Sequence, residues 1–420
     1  MDAARSAALE VLRRVSTQGA FAGTALRHLM PEGATPADRG LVTELVYGVL
    51  RRRGHLDRAL KKASGRRLKD LEPKIHDVLR LGAYQIMFLE RVPDHASVNA
   101  AVELAKHRAG KRGAGRVNQI LRALADTAPE DRLAPSPPLK SDPVGHVAAE
   151  GSVGRPVAEV LVDALGPETA LAFVLASLAP APLTLRPNRL KISAEALAEE
   201  IEGSVAESGA VRTPDSLRKL PSELAAVREG RASPQDEASM KVVELLDPQP
   251  GERVLDVCAA PGGKTTYIAE RMRDQGQVIA HDRLPDRLAR VGANAERLGL
   301  SIIELAEVLP EPEPRFDRVL VDAPCSGLGT LRRHPEIRWR FRTEDLDGLT
   351  PTQDKVLRAG AERLVPGGVL VYSICSVTRA EGRARVEGLE GFTLEEELST
   401  GPHQPGAPDG FYAARLRKQS

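Results

Sequence analysis

The stretch VLDVCAAPGGKTTYIAERM, residues 254–272, decides the fold prediction. A short apolar run leads into a tight turn with two glycines, and a helical run follows. Such a turn lets a ligand approach the backbone at the N-terminus of a helix. A phosphate-binding P-loop needs a glycine five positions before Gly263, but Cys258 stands there. The stretch therefore predicts a strand–turn–helix unit for a nucleoside ligand and disfavours a P-loop.

Three further runs outside this stretch are also valine-rich: QVIAHDR, FDRVLVDAP and GGVLVYSIC. They alternate with helical segments, which is typical of a parallel sheet covered by helices on both faces. The first of them ends at Asp282, about 20 residues after the glycines, where an acid of a Rossmann-like site holds ribose hydroxyls. Asp282 is also placed to cap the helix of RLPDRLARV, a role compatible with ribose binding. Because G-x-G-x-x-G is absent, the pattern favours an adenosine-bearing cofactor without a pyrophosphate, such as S-adenosylmethionine.

Several reactive side chains follow the predicted strands. Ligands of an open parallel sheet bind outside the carboxyl ends of the strands, so these side chains should share one edge. They are Asp256, Asp282, Asp322, Cys325 and Cys375. The three cysteines of the chain form neither a disulfide framework nor a C-x-x-C pair, so no metal site is predicted. Two interpretations stay open for the thiols: inert buried side chains, or nucleophiles.

A methyl donor, two thiols and a carboxyl group suit one reaction in particular. Carbon 5 of a pyrimidine is a poor nucleophile until a thiolate adds at carbon 6. A carboxyl group can steady the ring nitrogen of this adduct, and a base must then remove the proton at carbon 5. The edge predicted above offers two sulfurs and an acid for these steps.

The N-terminal part of the chain has helical periodicity from Asp2 to about Ala128. Asp94 or Ser97 is expected to cap the helix of SVNAAVELAKHR, and the glycines of RAGKRGAGR to break it. The 59 basic and 58 acidic side chains nearly cancel, but LRRRGH, KKASGRRLK and KHRAGKRGAGR concentrate positive charge before residue 120. These runs favour a surface for a polyanion over a merely solvated face.

Composition divides the chain into four parts. They are an all-helical domain at 1–128, a Pro/Gly-rich linker at 129–155, a small α+β subdomain at 156–233 and the sheet domain at 234–420. No run reaches the roughly 20 apolar residues of a membrane span, and no signal core is present. The scattered cysteines are consistent with a reducing cytoplasm, which is the expected location.

Four motifs carry a resemblance to a known family: DVCAAPGGKTT, DAPCSGLGTLRRHPEIRW, YSICS and DGFYAARL. They resemble the Sun/Fmu (RsmB-type) RNA cytosine-C5 methyltransferases, whose bacterial members act on 16S ribosomal RNA. GRASPQDEASM resembles the segment before their catalytic domain, and RGAGRVNQILRAL the last helix of their NusB-like RNA-binding domain. The resemblance implies an all-α NusB-like domain, a small α+β subdomain and a Rossmann-like class I methyltransferase domain.

The resemblance also implies roles for matching residues. Cys375 is expected to be the nucleophile, Cys325 to assist release, and Asp322 to lie between cofactor and base. The positions expected to bind S-adenosyl-L-methionine are Cys258, Ala259, Ala260, Pro261, Gly262, Gly263, Lys264, Asp282, Arg287 and Asp322.

The chain departs from the family pattern at four places. Ile374 replaces a threonine before the nucleophile, and TRAEG replaces PEEN and keeps only Glu381. RPN, at 186–188, replaces RVN. The aspartate usual after the third strand is missing, with Glu304 or Glu307 as possible substitutes.

The expected function is S-adenosylmethionine-dependent methylation of carbon 5 of a cytosine in RNA, with 16S rRNA of the small ribosomal subunit as substrate. A transfer RNA substrate and a non-catalytic RNA-binding role in ribosome assembly are the alternatives. RNA is the expected partner of a monomer that needs neither membrane nor metal. The single tryptophan, Trp339, is expected either to stack near RNA or to be a packed anchor.

Overall fold

The computed structural model describes residues 2–214, 221–313, 315–404 and 408–419. Two compact units make up the chain. The helical unit comprises Met1–Ala179 and Leu331–Phe341, and the sheet unit comprises Pro180–Thr330 and Arg342–Ser420. The domain limits at 128, 155 and 233 remain predictions.

In the described part of the chain, eight α-helices precede the first strand. They are α1 Ala3–Gln18, α2 Ala22–Leu29, α3 Pro36–Ser64, α4 His76–Phe88, α5 Asp94–Ala125, α6 Pro143–Gly151, α7 Arg155–Leu165 and α8 Pro167–Ala176. The start of α3 shows why the sequence folds locally, since Thr35 and Asp38 form a capping box and Pro36 occupies the first turn. Its end has Gly65 in the left-handed region, with φ of 68°. The predicted linker contains α6.

Helix α5 differs from its prediction both at its start and at the expected break. It begins after Pro93 without a side-chain cap, and the hydroxyl of Ser97 donates within the helix to the carbonyl of Pro93 at 3.4 Å. The predicted cap was therefore wrong. The predicted break is a kink at Gly110, with φ of 66° and ψ of −170°, after which the helix continues. Lys111, Arg112 and Arg116 are exposed just beyond this kink.

A segment from late in the sequence, Leu331–Phe341, packs within the helical unit, and we call it the inserted segment. The indole Nε1 of Trp339 donates to the carbonyl of Leu50 at 2.8 Å, and the guanidinium of Arg53 lies 5.2 Å from the ring centroid. Trp339 is therefore a packed anchor, which decides between its two predicted roles.

Two buried charges of the inserted segment also have partners in the helical unit. Glu336 accepts from the backbone N–H of Ala22 at 3.1 Å. Arg338, fully buried, donates to the carbonyls of Gly151 and Ser177 at 2.8 and 2.6 Å. Burial, together with the charges of the nearby Arg51 and Arg52, lowers the pKa of Arg338 to about 9. The helical unit therefore uses the inserted segment as part of its interior.

The sheet unit begins with a small antiparallel sheet. Its strands are β1 Thr184–Pro187, β2 Ser204–Val205, β3 Val211–Arg212 and β4 Ala232–Pro234, in the order β2-β3-β1-β4, with helices α9 Ala194–Glu200 and α10 Ala225–Arg228. This part of the chain thus mixes short strands and helices.

The larger sheet has seven strands in the order β10-β11-β9-β8-β5-β6-β7. The strands are β5 Arg253–Asp256, β6 Gln277–His281, β7 Ile303–Ala306, β8 Phe316–Asp322, β9 Leu364–Ile374, β10 Phe392–Thr400 and β11 Phe411–Lys418. Helix α11 Glu237–Leu246 precedes β5, and the helices between the strands are α12 Gly263–Arg271, α13 Pro285–Leu298, α14 Ile337–Arg340 (in the inserted segment), α15 Asp345–Glu362 and α16 Arg383–Val386. Strands β5 to β9 run parallel, and β11 is antiparallel to both of its neighbours, β9 and β10. The predicted α/β class with a parallel sheet is confirmed.

The order of the strands indicates where in the sheet a ligand would bind. The chain moves from β5 outward to β6 and β7, then returns to the other side of β5 with β8. An open sheet binds its ligand at such a reversal, outside the carboxyl ends of the strands. Among the described residues, every helix is too short or too polar to act as a transmembrane span.

Candidate active site

The glycine turn after β5 is fixed by backbone hydrogen bonds to the neighbouring strands. Ala259 N–H donates to the carbonyl of His281 at 2.8 Å, and Gly262 N–H closes the turn on Ala259 at 2.8 Å. Gly262 has φ of +101°, and a Cβ there would lie 3.0 Å from Cα of Val291. Only glycine suits this position, and α12 starts directly after it.

Asp256 ends β5 and is almost completely buried. Its Oδ2 accepts from the hydroxyl of Thr265 at 2.7 Å. Its Oδ1 is buried and has no hydrogen-bond partner among the described residues. Burial raises the pKa of Asp256 to about 7; the charge of Asp322 adds to this rise, and the Thr265 hydrogen bond opposes it. A buried acceptor is thus left open beside the glycine turn.

Asp282, which follows β6, joins that strand to the glycine turn. Its carboxylate accepts from Ala260 N–H at 3.3 Å and from Leu284 N–H at 3.0 Å. Arg287 donates to the carbonyl of Ala260 at 3.1 Å and lies 3.8 Å from Asp282. Helix α13 begins at Pro285 without a side-chain cap. Asp282 therefore shapes the turn instead of capping α13.

Lys264 and Asp322 connect the glycine turn to β8. The ammonium of Lys264 lies 2.6 Å from Oδ2 of Asp322, whose Oδ1 accepts from the hydroxyl of Ser373 at 2.8 Å. Burial alone would lower the pKa of Lys264, but Asp322, and then Cys375 and Asp256, raise it above its usual value. Lys264 therefore stays a cation between the acids and the thiols. The Lys264 ammonium also lies 5.3 Å from the ring centroid of Phe411.

Two of the three thiols face each other. The Sγ atoms of Cys325 and Cys375 are 2.7 Å apart. The parallel pairing of β8 with β9 sets Asp322 beside Ser373, so that the next residues of both chains leave the sheet together. The third thiol, Cys258, lies in the glycine turn, and burial, aided by the nearby acids, raises its pKa.

The two facing thiols are not equivalent. The hydrogen bond to Cys375 raises the pKa of Cys325 most, followed by burial, by the charge of Cys375 and by Glu381. Cys325 therefore keeps its proton.

The C-terminal motif DGFYAARL is hydrogen-bonded to the loop after Cys325. Gly410 N–H donates to the carbonyl of Gly329 at 2.8 Å, and Gly329 N–H donates to the carbonyl of Cys375 at 3.0 Å. A Cβ on Gly329 would lie 1.8 Å from the carbonyl oxygen of Gly410. This close approach requires glycine and holds the loop after Cys325 against the loop after Cys375.

Arg186 supports the glycine turn from the small sheet, a role that its position in RPN did not reveal. It forms a fully buried ion pair with Glu270 at 2.7 Å and donates to the carbonyl of Gly263 at 2.7 Å. It also bonds Gln235 and, at 3.1 Å, the hydroxyl of Thr266. The only signal in the sequence was that RPN stood in place of a family motif.

Two departures from the family pattern have structural accounts. Ile374 is fully buried in the apolar core at the end of β9. Glu304, on β7, accepts from the side chain of Gln277, the first residue of β6. It is thus bonded at the amino end of the sheet, away from the site.

The residues at the carboxyl edge fit an adenosine-bearing methyl donor. The glycine turn exposes backbone at the start of α12, and the unpartnered Oδ1 of Asp256 offers a buried acceptor. Among the described residues, no group of three or more His, Cys, Asp or Glu side chains could hold a metal ion.

Comparisons with known proteins point to one family of methyltransferases. Residues 243–417 match the model of the family described as 16S rRNA methyltransferase RsmB/F, and residues 2–126 match the NusB family. The chain is 34% identical to a probable ribosomal RNA small subunit methyltransferase B of Bacillus subtilis, covering 99% of this chain and 98% of that protein. It is also 34% identical to the ribosomal RNA small subunit methyltransferase B of Vibrio cholerae, covering 99% and 97%. A solved methyltransferase homolog from Pyrococcus horikoshii has a TM-score of 0.55 and 27% identity, covering 65% of this chain and 97% of that one.

Proposed function

Because this chain belongs to the RsmB/F family of 16S rRNA methyltransferases, we propose that it methylates carbon 5 of a cytosine in 16S rRNA. The family prediction made from the motifs is confirmed, and with it RNA methylation as the class of reaction. The observation that carries the cytosine-5 assignment is the pair of facing thiols, Cys325 and Cys375, beside the acid Asp322. Methyl transfer to an exocyclic nitrogen or to a ribose oxygen would need no second sulfur.

Cys375 adds to carbon 6 of the cytosine in this proposal. The new C–S bond makes carbon 5 nucleophilic, and the ring nitrogen takes up negative charge or a proton. Asp322 lies between the glycine turn and the thiols, where Lys264 and Ser373 fix its orientation. A carboxyl group held there can hydrogen-bond the ring and stabilise the adduct.

Cys325 acts after methylation. The proton on carbon 5 must leave before the C–S bond to Cys375 can break and restore the aromatic ring. Cys325, in contact with Cys375, assists this elimination by passing its thiol proton to the leaving sulfur of Cys375 and accepting the carbon 5 proton in its place. Because Cys325 keeps its proton in the free protein, it does not compete with Cys375 as nucleophile.

S-adenosylmethionine is the methyl donor and supplies an electrophilic methyl group when bound. The residues that would hold it are those of the glycine turn, Cys258 to Lys264, together with Asp282, Arg287 and Asp322. Asp282 and Arg287 already bond the backbone of Ala260, so they keep the turn open for the ligand.

The helical unit would bind the RNA. Its exposed cations Lys111, Arg112 and Arg116 suit contacts with phosphates. The target base must leave its stack to reach the thiols, which costs a few kcal/mol. We retain the boundaries 1–128, 129–155, 156–233 and 234–420 as a proposal for the domains, and a monomer in the cytoplasm, where thiols stay reduced, as the working state.

Mapping 5-methylcytosine in total RNA, with and without a functional copy of this protein, tests the assignment. One 16S rRNA position should lose its methyl group when the protein is absent and regain it when the purified protein and labelled S-adenosylmethionine are added. Loss of a transfer RNA site instead would contradict the substrate. Loss of no site would contradict catalysis and leave an RNA-binding role.

A further inference from the structure

Glu381 is a completely buried carboxylate in the loop after β9. It is the residue that TRAEG keeps from the family's PEEN run. Its Oε1 accepts from Ser326 N–H at 2.7 Å and from the side-chain amide of Gln353 at 3.2 Å. Its Oε2 accepts from the hydroxyls of Ser326, Ser376 and Thr378 at 2.6, 2.7 and 2.9 Å.

The serines bonded by Glu381 directly follow the two reactive cysteines. Ser326 comes after Cys325 and Ser376 after Cys375, and the two hydroxyls are themselves 3.1 Å apart. One carboxylate therefore joins the loop after β8 to the loop after β9, one residue away from each sulfur.

The position of Glu381 is itself fixed by further hydrogen bonds. The hydroxyl of Tyr372 donates to the backbone carbonyl of Glu381 at 2.7 Å. Gln353 also donates to the carbonyl of Pro324 at 3.0 Å, so it ties the start of the Cys325 loop to the same carboxylate. Hydrogen bonds thus fix the residues on both sides of Cys325 and the residue after Cys375.

Burying a carboxylate is costly unless its hydrogen bonds are satisfied. The five donors to Glu381 are one backbone N–H, one amide and three hydroxyls, and none of them carries a charge. An apolar side chain could fill this volume more cheaply. The negative charge has a further effect, since Glu381 contributes to the raised pKa of Cys325.

We propose that Glu381 is a positioning residue that clamps the Cys325 and Cys375 loops so that both sulfurs meet at one point. The catalytic consequence of this inference rests on the proposed function. The geometry of the two loops does not depend on that function. Glu381 touches neither cofactor nor base in this role and acts through the two serines.

Thiol cross-linking of the full chain tests the geometry without RNA. Diamide takes up two protons and two electrons as Cys325 and Cys375 join in a disulfide, which peptide mapping by mass spectrometry quantifies. Glu381→Ala should slow this cross-link by about 10-fold or more, because groups held in contact gain orders of magnitude in rate. Glu387→Ala, an exposed glutamate in the same part of the chain, is the matched control and should react like the parent protein.

Glu381→Gln separates positioning from charge. The amide keeps one acceptor oxygen, and the serine hydroxyls can rotate to accept from its NH2 group. We expect its cross-linking rate to lie within about threefold of that of the parent protein, because all the bonded groups keep a partner. Its thermal midpoint should likewise be close to that of the parent protein. Equal slowing in Glu381→Ala and Glu381→Gln would overturn the clamp.

Steady-state methylation kinetics then test the catalytic consequence. Glu381→Ala should lower kcat about 100-fold while KM for S-adenosylmethionine stays within a few-fold, since misplacement of about 1 Å has this effect on rate. In Glu381→Gln the pH profile of adduct decay should move to lower pH by about one unit, because a like charge near Cys325 is gone.

The outcomes distinguish the two proposals. If Glu381→Ala cross-links as fast as the parent protein, the clamp is wrong whatever the activity. If cross-linking is slowed as expected but the parent protein methylates no RNA, the proposed function fails and the clamp is retained as a structural device.

Discussion

Removing either of the two facing thiols should leave the reaction stopped at a different step. Cys375→Ala should abolish turnover and keep cofactor binding, because no nucleophile adds to carbon 6. Cys325→Ala should let the adduct form but not resolve, so a covalent protein–RNA band should accumulate on a denaturing gel. A band with Cys375→Ala and none with Cys325→Ala would mean that the two roles are reversed.

Asp256 should make stability depend on pH in a direction unusual for an acid. Its pKa in the folded protein is raised to about 7, above that of the unfolded chain, so the folded state binds the extra proton between these values. Its contribution is therefore fully present below about pH 4 and is lost as the pH rises toward 7. Asp256→Asn should remove this decline, measured as the difference in thermal midpoint between the two proteins from pH 4 to 8. A constant difference across that range would contradict the raised pKa.

Among the elements, β1 and α12 are joined by the buried pair Arg186–Glu270. Arg186→Met should leave the carboxylate of Glu270 buried without its cation and lower the free energy of unfolding by about 3–5 kcal/mol. It should also weaken S-adenosylmethionine binding, because the carbonyl of Gly263 loses its donor. Calorimetry measures both, with the exposed Arg228→Met as control. Unchanged cofactor affinity in a folded Arg186→Met protein would exclude support of the turn.

Helix α5 presents the cations that should set RNA affinity. Replacing Lys111, Arg112 and Arg116 together by glutamine should weaken binding and reduce the slope of log K against log salt by about 2, since each phosphate contact on single strands contributes about 0.7. Binding titrations at several salt concentrations measure this slope. Glu103→Gln, on the same helix, should not weaken binding. An unchanged slope in the triple variant would move the RNA surface elsewhere.

At the scale of the whole molecule, the helical unit should be incomplete when its own sequence ends at Ala179. Without the inserted segment, the carbonyls bonded by Arg338 and Trp339 lose their donors. A fragment 1–179 should therefore melt below the corresponding transition of the full chain, and a synthetic 331–341 peptide should raise its midpoint by mass action. A scrambled peptide is the control. No rise with the correct peptide at high excess would show that the segment adds no stability.

The sequence predicted the sheet, its glycine turn and the set of reactive residues at one edge, because strand alternation and turn chemistry are local signals. It could not predict the partners of Glu381 or Arg186, which come from positions far apart in the chain. The inserted segment was also beyond local reasoning: Trp339 lies 289 residues after its partner Leu50, and nothing nearby indicates which unit it joins. The cap expected at Asp94 or Ser97 failed because Pro93 starts α5 without a side-chain bond.

The inserted segment also constrains the order in which the protein is made. Translation delivers the eight N-terminal helices first, yet their last structural piece is encoded after β8, more than 150 residues later. The nascent helical unit must wait, with the sites for Trp339 and Arg338 open, until Phe341 has left the ribosome. A ribosome stalled before residue 331 would therefore release a helical unit that lacks its closing segment.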